Sequence, residues 1–342
     1  MGLRSYLIKR TAYSVILLLF VLILNFVIFQ LMPGDPTMIY ANPMRLQKAE
    51  QVEEIRRLWG LDQPIYTKFA TYMQNMFKGL LFWLDPLIGT EFSKNFGISY
   101  MSGDYVAKEV GERLSNTILL VGVSTILAIV IGVILGVIAA HRRGTPTDGI
   151  LVIASLTTYS LPSFWMGMIF LLIFHHRLGW FPGVGTTSFS SIYPAPNVFA
   201  YVSDRLWHLF LPALTLTLFM YGSYLLLARA TMLETLTEDY IVTARAKGLK
   251  ERTVLFKHAL KNASLPLITN AAISIGFILS GAIITEQVFV YPGLGWWTWK
   301  AIDFVDYPVL QTIFFLVALC VIAANFIADI LYGVIDPRIK YE

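Results

Sequence analysis

Residues 117–140 read TILLVGVSTILAIVIGVILGVIAA, a run of 24 residues without a charged side chain. As an α-helix this run would extend about 36 Å, enough to cross the roughly 30 Å hydrocarbon core of a bilayer. Five further runs have membrane-spanning length, at residues 13–32, 150–174, 209–230, 267–289 and 309–335. The sequence therefore predicts an all-α polytopic membrane protein with about six transmembrane helices.

The composition of the chain supports this class. Apolar residues make up 56% of the 342 residues and charged residues 14%, against about 25% charged in soluble domains. A soluble chain of this length cannot bury so much apolar surface, so lipid must solvate much of it. The run at 13–32 is too long for a signal-peptide core and lacks a small-residue cleavage site, so we expect it to remain as a helix.

Lysine and arginine positions predict the orientation in the membrane. Basic residues cluster before the first run and after the second, fourth and sixth, whereas the short connections on the opposite side carry few. The long segment after the first run holds more, but long translocated segments largely escape this rule. Both termini are therefore predicted to be cytoplasmic. The net charge of +4 reflects this topology and not a nucleic-acid partner.

These boundaries divide the chain into four parts. Residues 1–32 are a cytoplasmic tail and the first transmembrane helix, and residues 33–115 are an external segment with amphipathic helices. Residues 116–335 form a five-helix core, and residues 336–342 a cytoplasmic tail. Within the external segment, the apolar stretch 81–87 is predicted to be either a re-entrant or an interfacial loop.

A charged region at residues 232–265 interrupts the core on the predicted cytoplasmic side. Its central part, residues 238–266, reads EDYIVTARAKGLKERTVLFKHALKNASLP. Gly248 divides this part into a short helix at 240–247, preceded by acidic residues that the helix dipole favours, and a second helix. The apolar face of the second helix consists of Leu255, Phe256, Ala259, Leu260 and Ala263.

This pattern predicts a helix–turn–helix hairpin. The residues by themselves fit two functions equally well. One is a docking surface for another protein, and the other is a basic loop against lipid headgroups.

No catalytic, nucleotide-binding or metal-binding motif is recognisable. The phosphate-binding loop G-x-x-x-x-G-K-[ST] is absent, and the five histidines have no ligand spacing. Cys320 is the single cysteine, which excludes an intrachain disulfide. The chain is therefore predicted not to be an enzyme and to bind no metal or cofactor of its own.

Polar side chains inside the apolar runs are costly in lipid unless they face a partner or water. We expect a set of them to line a path for a polar solute. The alternative is hydrogen bonding between helices with small-residue packing, as Gly276 and Ser280 would allow. Among the few ionisable residues, Arg229 is expected to pair with Asp329. The path candidates are Ser160, Ser163, Tyr221, Tyr224, Asn270, Ser274, Ser280 and Glu286.

The segment 243–249, TARAKGL, resembles the coupling motif of permease subunits of ABC importers in the dipeptide/oligopeptide/nickel family. The strict superfamily motif is only partly kept, since Ala244 alone agrees among its first positions, and Ser115 stands where proline is common. The stretch 81–87 looks like an insertion. Other family signatures follow in the expected order: PGDP at 33–36, LPSFW at 161–165, RLGW at 177–180, LPALT at 211–215, PGLG at 292–295, DYP at 306–308 and DPR at 336–338.

This resemblance implies a type I ABC importer permease fold and a location in the cell membrane. It implies a subunit that forms half of the translocation path for short peptides or similar polar solutes, such as oligosaccharides or nickel complexes. The implied partners are a second homologous permease in a heterodimer, two ATPase subunits that bind ATP and Mg, and an external solute-binding protein.

Residues that match the coupling region are expected to dock on an ATPase subunit. From the residues alone, a self-sufficient secondary transporter or channel, or a membrane scaffold without a path, stays open as another class. The expected coupling residues are Glu238, Asp239, Tyr240, Thr243, Ala244, Arg245, Ala246, Lys247, Gly248, Leu249 and Arg252.

Overall fold

The computed structural model describes residues 3–39, 49–81, 85, 91–190 and 192–335. In this part of the chain the secondary structure is helical, apart from one isolated bridge between Ile98 and Tyr105. The α-helices are α1 (Leu3–Leu31), α2 (Ala49–Leu58), α3 (Ile65–Gly79), α4 (Val106–His141), α5 (Pro146–Ser160), α6 (Ser163–Phe170), α7 (Val198–Thr235), α8 (Asp239–Ala246), α9 (Leu260–Gly276), α10 (Ile283–Val288), α11 (Leu294–Asp303) and α12 (Tyr307–Ile335).

Shorter helical pieces join these elements. Turns of 3-10 helix cover Pro36–Ile39, Phe92–Phe96 and Phe277–Ser280, and π-helix covers Leu171–Arg177 and Val254–Ala259, the latter preceded by one α-turn at Glu251–Thr253. Most of the predicted loop at 81–87 lies outside the described residues.

Four helices in the described part of the chain are long and apolar enough to cross a membrane, namely α1, α4, α7 and α12. The bent pair α5–α6 adds a fifth crossing if it is counted as one span. The predicted runs at 117–140, 209–230 and 309–335 lie within three of the long helices, and the run at 13–32 ends one residue beyond α1. The polytopic helical class is thus confirmed.

The predicted span 150–174 is two helices and not one. α5 and the helical stretch that begins with α6 meet at 97°. The cause is Pro162, which has no amide hydrogen and keeps the preceding Leu161 extended, with ψ 134°. A bend of this size puts the second half of the segment at a steep angle to the first.

The predicted span 267–289 is not a continuous helix. α9 ends at Gly276, and Gly281 with φ +71° turns the chain before α10 begins. Glycine adopts this left-handed conformation without steric cost, which makes it the natural breaking point. The segment after Gly281 therefore leaves the direction of α9.

Close packing between α4 and α7 forms the most extensive helix contact. Gly132 and Gly136, one turn apart on α4, let the two backbones approach. A Cβ on Gly136 would lie 2.6 Å from both Ala228 Cβ and the Leu225 carbonyl oxygen, and a Cβ on Gly132 would lie 2.6 Å from the Tyr221 carbonyl oxygen. This is the small-residue packing that holds helices together in lipid.

The helices join at two opposite ends. At one end, an apolar core contains Leu22 of α1, Met76 of α3, Trp297 of α11 and Leu310 of α12. At the other end, a second cluster joins the last turns of α4 and α7 to the charged region after α7. Segments predicted on the same side of the membrane therefore lie together.

We predict that Gly136→Ala lowers the free energy of unfolding by about 1–3 kcal/mol, because the added methyl group has no room against α7. The matched control is Gly122→Ala on the same helix, where an added Cβ meets nothing within 4 Å. That change should be neutral or stabilising by about 0.5–1 kcal/mol. Unfolding in detergent measures both, and equal effects would contradict the packing assigned to α4 and α7.

Candidate coupling hairpin and interior polar residues

The predicted hairpin forms after α7 and is mounted on the membrane helices by apolar contacts. Ile241 and Ala244 occupy the buried face of α8, and Val254 and Ala259 are buried in the turns that follow. They pack in one cluster with Val137 and Ala140 at the end of α4 and Met232 at the end of α7. The hairpin is therefore attached to the α4–α7 pair and does not hang free.

The second half of the hairpin differs from the predicted α-helical wheel. Leu255, Ala259 and Ala263 are buried as predicted, but Phe256 is 42% exposed and Val254 is buried. The reason is the π-helix at Val254–Ala259, which holds more residues per turn and shifts the positions that face inward.

Gly248 has φ +72°, and an added Cβ would meet nothing within 4 Å. The position therefore needs glycine for its backbone conformation and not for space. Across this turn, Arg245 Nη2 donates to Glu251 Oε1 at 2.8 Å and Arg245 Nε to Glu251 Oε2 at 3.3 Å. Asn262 Nδ2 donates to Tyr240 Oη at 2.7 Å, a second link between the halves of the hairpin.

The Arg245 guanidinium holds the pKa of the Glu251 carboxyl below its usual range, against the opposing effect of partial burial. The pair is about two-fifths exposed on each side, so solvent screens it. His141 at the end of α4 lies 3.6 Å from the same carboxylate. Glu251, itself part of the hairpin, thus also links the hairpin to the end of α4.

The side of the hairpin that does not pack on α4 and α7 is exposed. Leu249 is partly exposed, and Val242, on the same side of α8 as Asp239 and Thr243, is 59% exposed. Of the predicted coupling residues, Ala244 is buried in the cluster with the ends of α4 and α7. Arg245 is exposed and is paired with Glu251. The exposed members are Glu238, Asp239, Tyr240, Thr243, Arg245, Ala246, Lys247, Gly248, Leu249 and Arg252.

The predicted path residues lie on α5, α6, α7, α9 and α10, except Ser280, which ends the 3-10 turn after α9. Ser160 is exposed, Ser163, Asn270 and Ser274 are partly buried, and Tyr221 and Tyr224 are buried. Tyr224 Oη donates to Ser274 Oγ at 2.7 Å, so for this pair the structure contains a hydrogen bond between helices. The side chain of Ser280 lies outside the described residues.

Glu286 is completely buried and is not open to a path in this structure. Its carboxylate accepts hydrogen bonds from Thr117 Oγ1 at 3.1 Å and from the backbone N–H of Trp296 at 2.8 Å. It therefore joins the start of the second predicted run to the chain that follows α10. The sequence signal for Thr117 is weak, because a hydroxyl at the beginning of an apolar run is common.

Arg229 has a partner that the sequence analysis does not name. Arg229 Nε and Nη2 donate to the two carboxylate oxygens of Asp148 at 2.7 and 2.8 Å, which is bidentate pairing between α7 and α5. The Asp329 side chain lies outside the described residues. The available signal was the position of Asp148 directly after the helix start at Pro146, on the same predicted side of the membrane.

Two signature motifs place an acid beside a turn. Asp306 of DYP is buried and accepts hydrogen bonds from Ser99 Oγ at 2.6 Å and from the Met101 N–H at 3.0 Å. Burial raises its pKa. Asp35 of PGDP accepts from the Thr37 N–H at 2.9 Å and pairs with Arg56. These acids tie the segment after α1 to α2 and α12.

Among the described residues, no group of three or more His, Cys, Asp or Glu side chains is arranged to hold a metal ion. Taken together, the geometry defines a polytopic helical membrane protein with hydroxyl, phenol and amide groups in its interior and a braced hairpin at one end.

Comparisons with known proteins identify the family. Residues 132–341 match the family described as binding-protein-dependent transport system inner membrane component, and residues 3–121 match the N-terminal family of such membrane components. The chain belongs to this family. It is a multi-pass permease subunit of an ABC importer and not itself an enzyme, which confirms the family resemblance and the functional class predicted from it.

Three relatives match nearly the whole chain. The oligopeptide transport system permease protein AppB of Bacillus subtilis is 37% identical over 338 residues, covering 98% of this chain and 99% of the relative. The di/tripeptide transport system permease protein DppB of Pseudomonas aeruginosa is 34% identical over 349 residues, covering 99% of each. The glutathione transport system permease protein GsiC of Escherichia coli is 34% identical over 338 residues, also covering 99% of each.

A solved chain of the MetNI methionine ABC transporter, in an inward-facing conformation, aligns with a TM-score of 0.52 at 17% identity. The alignment covers 67% of this chain and 97% of that chain. At this identity the likeness shows the fold alone, and it confirms the type I importer permease fold.

We predict that acid loosens the hairpin. Because the pKa of Glu251 is lowered in the folded state, its contribution is present above the unfolded pKa and is lost as pH falls through the folded value. A spin label at position 249 (Leu249→Cys in a Cys320→Ala chain) should keep its mobility from pH 8 to about 5 and gain mobility below about pH 4.

The variant Glu251→Gln should already be mobile at pH 7, because it lacks the carboxylate that Arg245 binds. The matched control Glu238→Gln should retain the acid transition, since this neighbouring acid has an exposed side chain. An identical transition in Glu251→Gln would contradict the assignment.

Proposed function

We propose that this chain forms half of the path of an importer for short peptides and that the hairpin at residues 238–252 docks on an ATPase subunit. The substrate class is supported by the names of the relatives, which are permeases for oligopeptides, di- and tripeptides and glutathione. The observation that carries the docking proposal is an exposed face, with Val242 and Leu249 in it, on a hairpin whose opposite face is buried.

The mounting of the hairpin suits the transmission of motion. Ile241 and Ala244 pack against the ends of α4 and α7, and these two helices are held together along their length at Gly132 and Gly136. Because packed cores move as units and do not deform continuously, a displacement of the hairpin carries the α4–α7 pair with it. ATP and Mg act on the ATPase subunits in this scheme.

The path runs between α5, α7 and α9 in our proposal. Tyr221, Tyr224, Asn270 and Ser274 offer hydroxyl, phenol and amide groups without a formal charge. Such groups both donate and accept hydrogen bonds, which matches the alternating N–H and C=O of a peptide backbone. Neutral groups also tolerate varied side chains on the cargo.

The remaining assignments complete the assembly. We propose that both termini are cytoplasmic, that residues 33–115 face the external solute-binding protein, and that a second homologous permease supplies the other half of the path. The contact between His141 and Glu251 supports the placement of the hairpin and the end of α4 on the same side of the membrane, as the distribution of lysine and arginine predicts.

To test the docking role, we predict that Gly248→Val strongly reduces ATP-driven uptake in the assembled importer. A β-branched residue disfavours φ +72°, so the turn must rearrange and the exposed face is displaced. The measurement is uptake in proteoliposomes, divided by the amount of complex recovered with its ATPase subunits.

Two matched variants frame this result. Gly248→Asn should retain most uptake, because asparagine tolerates the left-handed conformation. Gly179→Val places the same strain at φ +62° with equal free space, but outside the hairpin, and should leave uptake per assembled complex unchanged. Normal uptake and assembly with Gly248→Val would refute the docking role.

For the path, we predict that Tyr224→Phe changes the KM for peptide uptake as well as stability, because the phenol would face cargo when its bond to Ser274 opens. The control is Thr215→Val, where the lost hydroxyl donates to the Leu211 carbonyl oxygen of its own helix. A change in stability without any change in KM would favour a purely structural hydrogen bond between helices.

A further inference from the structure

Glu286 is a fully buried carboxylate at the end of the molecule opposite the hairpin. Besides Thr117 and the Trp296 N–H, it accepts from the Ala282 N–H at 3.4 Å, and the Gly295 N–H is also directed at it. All of these groups are donors. A buried group surrounded by donors alone must be an acceptor at both oxygens, as a carboxylate is.

Three glycines allow the backbone to approach this carboxylate. A Cβ on Gly293 would lie 2.5 Å from both Glu286 Oε2 and Thr117 Oγ1. Gly281 and Gly295 also lie against neighbouring backbone. A Cβ on Gly281 would lie 2.8 Å from the Gly295 nitrogen, and a Cβ on Gly295 would lie 2.8 Å from backbone atoms of Ile283. The glycines of the PGLG signature are therefore explained by the space around Glu286.

Thr117 Oγ1 completes the cluster, because it accepts from the Leu294 N–H at 2.7 Å while it donates to Glu286. Its neighbour Asn116 donates to the Pro292 carbonyl oxygen at 2.9 Å and accepts from Arg205 Nη2 at 2.6 Å. The first residues of the apolar part of α4 are thereby tied to the turn between α10 and α11.

The same turn packs against two other helices. Phe289 and Tyr291 are buried in a cluster with Leu120 of α4 and Leu211 of α7. On α6, a Cβ at Gly167 would lie 3.1 Å from the Phe289 ring. Residues 281–297, which we call the outer turn, therefore close the space where α4, α6 and α7 converge.

The outer turn holds a strained backbone. Val290 has φ +45°, a left-handed conformation that is rare for a β-branched residue. Such strain persists only where the surrounding contacts over-determine the conformation, and it is common in segments that switch between states. Here the surrounding contacts are those of Glu286 and of the buried aromatic rings.

We propose that Glu286 is the positioning residue of an outer gate, holding the outer turn across the external end of the transport path through Thr117. The proposal rests on the proposed function, since it needs a path between α7 and α9. α9 carries the path candidates Asn270 and Ser274 and leads directly into the outer turn. Opening the external end requires the hydrogen bonds of Glu286 to be exchanged.

Asp306 provides a matched control. It is equally buried and, like Glu286, is surrounded by donors, namely Ser99 Oγ and the N–H groups of Met101 and Val309. Its bonds tie the segment before α4 to the start of α12 and do not involve the outer turn. Removal of either carboxylate should cost similar stability, but only Glu286 should affect access to the path.

The experiment measures access from outside by thiol labelling. The assembled importer carries Cys320→Ala and Ser274→Cys, so that one thiol reports on the path, and a membrane-impermeant maleimide is added to right-side-out vesicles without ATP. We expect Glu286→Gln to raise the labelling rate about tenfold, the change in an opening equilibrium when one buried hydrogen bond is lost. Thr117→Val should raise it in the same direction, and Asp306→Asn should leave it unchanged.

Each outcome of the labelling experiment either supports or overturns the outer-gate proposal. Unchanged labelling in both Glu286→Gln and Thr117→Val would overturn the proposal, and so would equally fast labelling in Asp306→Asn. If Glu286→Gln fails to assemble, Thr117→Val carries the test alone. A Ser274→Cys thiol that is not labelled in any variant would contradict the proposed path, whereas a labelled thiol whose rate does not respond to Glu286→Gln or Thr117→Val would contradict the outer gate alone.

Discussion

The close approach of α4 and α7 is the constraint on which the rest of the structure depends. Gly132 and Gly136 remove side chains from the contact, so backbone meets backbone over two turns. In lipid, where burial of apolar surface gives no drive for helix association, this packing is a main source of cohesion. The pair forms a stiff unit that presents one end to each side of the membrane.

The two ends of this helix pair contact the rest of the chain in different ways. At one end the hairpin packs on Val137 and Met232 through apolar contacts, and its other side is exposed. At the opposite end Thr117 connects the unit to the buried carboxylate of Glu286. The apolar contacts of the hairpin can transmit a displacement to α4 and α7. The carboxylate of Glu286, in contrast, either has all its hydrogen bonds or loses free energy, and this favours discrete conformations of the segment that it holds.

Much of the fold and of the hairpin was predictable because the signals are local. Apolar runs identified the four long helices, and the glycine at 248 correctly marked the turn of the hairpin. The pairing of Arg229 with Asp148 was missed, because the two residues are 81 positions apart along the chain and only their predicted side of the membrane connects them. The burial of Phe256 was predicted wrongly for another reason. The π-helix changes which residues face inward, and no residue pattern indicates a π-helix.

The sequence by itself determined that the chain spans a membrane, which family it resembles and where the charged hairpin turns, because length, polarity and motif order are properties of adjacent residues. Only the tertiary structure decided that residues 267–289 break at Gly281 and that Glu286 is enclosed by donors. These donors come from Thr117 and from backbone brought close by three glycines. Burial of a charge depends on groups that are distant in sequence, and their convergence is a result of packing.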